Sequence, residues 1–191
     1  TQGVVTVTIQ TPIIGNSIIA QQTVCTNVMP ALISGAIPAG GSGVFTYIWQ
    51  SSLNNTFFST IIGATSQNFQ PPIDNQTIYY RRIVSGGTCP PSTSTSVGVI
   101  IQSGISGNTI ISSQTLCLGS TPSILTGMSV SGGSGIYQFQ WQSSSDSLAW
   151  NSMPGEIFQN YSPPLLFQTY YFRRLVNSGS CNDTAQAVNI I

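Results

Sequence analysis

The stretch GGSGIYQFQWQSS at 132–144 decides the fold. From Ile136 onward apolar and polar side chains alternate with a period of two, the pattern of a strand buried on one face. Tyr137, Phe139 and Trp141 line one face, and Gln138, Gln140 and Gln142 line the other. The glycines ahead of it supply a connection in which positive φ is available. The stretch occurs once before, as GGSGVFTYIWQSS at 40–52, with Phe45, Tyr47 and Trp49 on the apolar face.

Working outward, the whole segment Gly15–Cys89 lies on Gly107–Cys181 without a gap, at a shift of 92 residues. GNSIIAQQTVC (15–25) matches GNTIISSQTLC (107–117), and QTIYYRRIV (76–84) matches QTYYFRRLV (168–176). A fixed internal period marks a repeated domain. The repeats are assigned to 12–102 and 103–191. Residues 1–11 contain VTVTIQ (5–10), which resembles VGVIIQ (97–102) and AVNII (187–191). They read as the final strand of a preceding repeat or as a strand that pairs with a neighbouring subunit, because a lone strand leaves its backbone unpaired. Thr1 opens directly on strand-like sequence, as a mature or excised segment does.

Turn residues recur about every ten positions, and no segment has a capped helical period. Strands are predicted over 17–24, 31–37, 44–51, 57–62, 66–70, 77–85 and 94–102, and again 92 residues later with the last strand two residues early. The expected fold is all-β: two tandem immunoglobulin-like Greek-key β-sandwiches of about seven strands each. Trp49 and Trp141 are expected between the sheets. In the sixth strand the doublets Tyr79-Tyr80-Arg81-Arg82 and Tyr171-Phe172-Arg173-Arg174 send neighbours to opposite faces. Tyr79, Tyr171, Arg81 and Arg173 are assigned to the core, the arginines stacking on aromatic rings. The competing reading is a sugar- or phosphate-binding arginine.

Composition excludes several functions. The only cations are Arg81, Arg82, Arg173 and Arg174, and the only acids are Asp74, Asp146, Glu156 and Asp183. With net charge zero there is no field to gather nucleic acid or an anionic membrane. The apolar runs are too short to span a bilayer. There is no histidine, and no acid recurs between the repeats, so neither general acid–base catalysis nor a carboxylate metal site is expected. No enzyme activity, metal or cofactor is expected. GGSG follows no phosphate-loop pattern. Trp150, matched by Phe58, is the tryptophan without a twin; it caps the core or stacks on a sugar.

Cys25, Cys89, Cys117 and Cys181 occupy two equivalent places. No Cys-x-x-Cys is present, so disulfides in an oxidising compartment are expected over zinc. Two pairings stay open. One is Cys25–Cys89 with Cys117–Cys181. Against it, the two turns lie at opposite ends of a Greek-key sandwich, beyond the ~5–6 Å Cα separation of a disulfide. The other is Cys25–Cys181 across the domains, with Cys89 and Cys117 facing further repeats.

Taken together, GN.II..QT.C, GGSG....WQSS and QT.YYRR.V..G.C resemble the tandem immunoglobulin-like and PKD-like repeats of large secreted Bacteroidota surface proteins, the gliding-type adhesins among them. The resemblance implies an extracellular stalk or adhesive filament exported by the type IX pathway, with no catalytic residues. It also implies O-glycosylation at Ser147 and Thr184, each of which follows an aspartate; a plain turn is the alternative there. The expected partners are neighbouring repeats or copies of the chain itself. A carbohydrate-binding module, with surface glycans as partners, is the alternative.

Overall fold

The computed structural model describes residues 6–111 and 113–191, and no helix occurs among them. The chain divides between Ile101 and Gln102 into two compact units, each built on its own core.

In the first unit the strands are β1 (Ile18–Ile19), β2 (Gln22–Cys25), β3 (Ser34–Gly35), β4 (Thr46–Ser52), β5 (Ser59–Thr60), β6 (Ile78–Ser85), β7 (Ser92–Thr93) and β8 (Val97–Gln102). One sheet has the order β2-β8-β6-β4-β5, with β7 also on β6. The facing sheet pairs β1 with β3 and is extended by the bridges Ile14–Ala39 and Ile33–Phe69. The chain leaves β1 for the other sheet through Ala20, which takes a φ of 100°. Trp49 is fully buried between the sheets, against Ile18, Ile33, Tyr80, Val97 and Val99. Its indole N–H donates to the Ser66 carbonyl at 2.9 Å, so the one polar atom on the ring is satisfied.

The second unit repeats this plan with β9 (Ile110–Ile111), β10 (Thr126–Gly127), β11 (Gln138–Ser144), β12 (Asn151–Ser152), β13 (Tyr170–Ser178), β14 (Cys181–Thr184) and β15 (Val188–Ile190). Its larger sheet runs β12-β11-β13-β14, with β15 on β13. Trp141 is fully buried and donates to the Phe158 carbonyl at 2.9 Å. The all-β class, the two sandwiches and the repeat follow the reading of the sequence. One local difference has a simple cause. β14 begins three residues after β13, with Ser178 opposite Cys181. In the first unit Pro90 and Pro91 lack an amide hydrogen, and the ladder starts only at Ser92.

Two expectations need correction. The strand expected over 57–62 is only Ser59–Thr60, and the one over 66–70 survives as the single bridge at Phe69. The inward face of the sixth strand carries the other member of each doublet: Tyr80, Arg82 and Val84, and Phe172, Arg174 and Val176 are buried. Tyr79, Arg81, Tyr171 and Arg173 are half-buried. The ladder decides this, because Trp49 stands opposite Arg82 and Trp141 opposite Arg174, and directly opposed residues share a face.

Of the segment 1–11, residues 1–5 lie outside the described residues, and 6–11 form no strand. Thr11 accepts a bond from the Gly41 amide at 2.8 Å, and the Gln10 side chain accepts one from the Thr88 amide at 3.0 Å.

Candidate functional site: the arginine cages and the cysteine cradles

Arg82 projects from β6 into the sandwich and is completely buried. Its Nε donates to Asn16 Oδ1 at 3.0 Å, Nη1 to the Gln67 carbonyl at 2.8 Å and Nη2 to the Ala36 carbonyl at 2.7 Å. These three acceptors belong to three different segments of the chain that flank the strands and bridges of the facing sheet. The guanidinium lies 5.0 Å from the Tyr47 ring centroid. Asn16 is held in turn by donating to the Arg82 and Ser92 carbonyls. No carboxylate enters this cage; carbonyl dipoles and a ring face replace the lost water. Burial pulls the guanidinium pKa down, yet an arginine stays charged in a protein.

Arg174 has the same surroundings: Asn108 Oδ1 at 3.0 Å, the Gln159 carbonyl at 2.8 Å, the Met128 carbonyl at 2.8 Å, and the Phe139 ring at 4.9 Å. Room for each guanidinium depends on a glycine. A Cβ at Gly35 or Gly127 would collide with Nη1 of Arg82 or Arg174. The cage is therefore a clamp within one repeat, each guanidinium nitrogen donating to an acceptor of its own chain.

The other arginine of each pair lies on the outer face. Arg81 covers the Phe58 ring at 4.1 Å and donates to Gln50; Arg173 covers the Trp150 ring at 4.2 Å and donates to Gln142. Arg173 thereby covers one face of the Trp150 ring.

Ser147 sits exposed at a turn tip with φ 61°. The turn is organised by Asp146 Oδ1, which accepts from the Leu148 and Ala149 amides and the Ser144 hydroxyl. Those bonds hold its carboxyl below the usual range, the Ala149 amide contributing most. In the first unit Asn54 Oδ1 does the same for Thr56, Phe57 and Ser52. A carbonyl-type acceptor is all the turn requires, so Asp146 is structural. Thr184 is exposed on β14. Among the described residues no three His, Cys, Asp or Glu side chains gather as a metal site would need.

The cysteines divide unequally. Cys25 and Cys181 are disulfide-bonded, whereas Cys89 and Cys117 are free. This excludes the pairing Cys25–Cys89 with Cys117–Cys181. The second unit gives the physical reason. Cys117 follows Leu116, which bonds Ile191 just past the register of Tyr170 at the start of β13. Cys181 stands opposite Ser178 at the other end of that strand. At ~3.3 Å per residue, the two are roughly 26 Å apart.

Cys181 and Cys89 occupy matching cradles. Cys181 Sγ lies 3.3 Å from the Ser103 carbonyl, and the Gln102 side chain accepts from the Ser180 amide at 2.9 Å. Cys89 Sγ lies 3.3 Å from the Thr11 carbonyl, and Gln10 accepts from Thr88. Cys25 and Cys117 likewise open the same kind of turn: Val28 N to Cys25 O is 3.1 Å, and Ser120 N to Cys117 O is 3.0 Å. The Gln clasp at the head of each repeat was not read from the sequence, although Gln10 and Gln102 share the 92-residue shift.

Residues 14–103 and 106–191 each match one family model, described as Domain of unknown function (DUF8696). Among solved structures, the fibronectin(III)-like modules of Clostridium thermocellum CbhA are similar, with a TM-score of 0.41 and 7% identity over 90% of this chain and 88% of that one. At that level the likeness carries no argument about function. No curated protein matches the chain.

Proposed function

We propose, for a chain that belongs to the DUF8696 family and carries its domain twice, a non-catalytic structural role as an extracellular repeat module. The observation that carries the reading is the disulfide state: the bonded cysteines, Cys25 and Cys181, lie one in each repeat. We propose that the two bond to each other and so staple one repeat to the next. Such a bond persists in an oxidising compartment and restricts the freedom of the short segment between the repeats. The arginine cages support the same role, since they devote the buried polar groups of each bead to joining its own two sheets. The scarcity of charge leaves neutral amide and hydroxyl surfaces that can pack side by side without repulsion.

The finer reading, a stalk or adhesive filament on a Bacteroidota surface reached by the type IX pathway, rests on the motif resemblance alone. Its partners are then other repeats, copies of the chain, or surface glycans.

The test is a non-reducing peptide map with small-angle scattering before and after reduction. The expected result is a Cys25–Cys181 peptide pair and a broader distribution of inter-repeat distances once reduced. Recovery of Cys25 with Cys89, or identical scattering in both states, overturns the proposal.

A further inference from the structure

We infer that Cys89 and Cys117 are the two open halves of a head-to-tail disulfide, and that the partner of each is a second copy of this chain. The inference rests on the proposed staple and extends it beyond the pair of repeats. Each repeat acts as the reference for the other. Cys89 sits in the cradle that in the second repeat holds a bonded cysteine, with the same 3.3 Å approach to a backbone carbonyl and the same glutamine clasp. Cys117 opens the turn that in the first repeat carries a bonded cysteine.

Burial agrees with chemistry at both places. Bonded Cys181 is buried, and its free twin Cys89 is half-buried; bonded Cys25 is half-buried, and its free twin Cys117 is exposed. The bonded and free twins thus share their local backbone setting, and the free member is the more accessible of each pair. The two halves differ in kind, one a recessed cradle and one a projecting turn, so the contact is heterologous. A heterologous contact that does not close generates open chains. No charged side chain lies within two residues of Cys89 or Cys117 to oppose the approach.

The chemistry balances with a disulfide oxidant, either a small-molecule disulfide or an oxidoreductase. The Cys117 thiol of one copy and the Cys89 thiol of the next each give up one proton and one electron as the S–S bond forms. The two electrons reduce the oxidant's disulfide to two thiols by exchange through a mixed disulfide.

The experiment mixes two single variants of the full chain, Cys89→Ser and Cys117→Ser, under oxidised glutathione, beside the unaltered chain. Expected are a ladder of oligomers from the unaltered chain that reduction collapses, loss of that ladder in each variant alone, and a heterodimer in the mixture whose peptide map gives Cys117–Cys89. Cys117–Cys117 homodimers in place of the heterodimer, or monomers throughout, overturn the inference. The same map separates the two levels. Cys25–Cys181 intact without any Cys117–Cys89 link sinks only this inference, whereas Cys25–Cys89 sinks the staple beneath it.

Discussion

Arg82 stands directly across the β4–β6 ladder from Trp49, and both side chains are completely buried. The tryptophan fills the space between the sheets while the arginine ties them together. Replacing Arg82 by Ala leaves the Gln67 and Ala36 carbonyls and Asn16 without their donor and opens a void between the sheets. Unfolding of the first repeat should become easier by about 3–5 kcal/mol, read from urea midpoints. Arg82→Lys keeps the charge but loses the planar fork that reaches three segments, so it should still cost more than about 1.5 kcal/mol. Midpoints equal to those of the unaltered chain would show that the cage carries no stability.

Gly35→Ala tests the cage from its other side. The added Cβ meets the guanidinium and the Gln67 carbonyl at once. The expected loss is about 1–3 kcal/mol by thermal or urea unfolding, with Gly127→Ala giving the same loss in the second repeat. Gly104→Ala, where a Cβ has open space, is the control.

Tyr80 predicts an alkaline limit. Burial, aided by the charge of Asp74, pushes its hydroxyl up to about 12. The folded value lies above the ordinary tyrosine value near 10. Its contribution is therefore complete below pH 10 and is lost as pH rises from about 10 to about 12. Tyr80→Phe, the residue at the equivalent Phe172, should flatten that fall while leaving the neutral-pH midpoint nearly unchanged. Burial also raises the Tyr161 hydroxyl, so the second repeat should lose stability in the same direction as pH rises.

Asp146 predicts an acid limit of opposite sign. Its folded value is depressed, so the stabilisation is present above the ordinary carboxylate value and is lost as pH falls through the folded one. Asp146→Asn should remove this acid dependence of the second repeat without distorting the turn, because Asn54 already builds it in the first. A melting profile of the variant that still drops on acidification as the parent does would contradict this.

Trypsin should fail on the folded chain. All four arginines lie within β6 or β13, two of them fully buried, and cleavage requires a strand to leave its sheet. Cleavage should therefore follow the population of globally unfolded repeat, rising with urea in step with tryptophan fluorescence. Rapid cutting in native buffer would mean that β6 or β13 opens locally.

Legibility differed sharply between positions. Trp49 and Trp141 were readable as core because aromatic and polar residues alternate around Trp141. The sixth strand was not. In Tyr79-Tyr80-Arg81-Arg82-Ile83-Val84 each face receives one tyrosine, one arginine and one aliphatic residue, so alternation carries no sign. The one available hint was Phe172, the residue that breaks the doublet in the second repeat and marks its inward parity. The cysteines were silent for a related reason: both copies offer the same spacing.

The sequence by itself determined the all-β class and the duplication, because period and repetition are properties of the chain read in order. Tertiary structure alone decided which arginine is caged and which cysteines are bonded. Both depend on what stands opposite across a ladder or at the end of a strand, and residues that are neighbours in space there are from 15 to 78 positions apart in the chain.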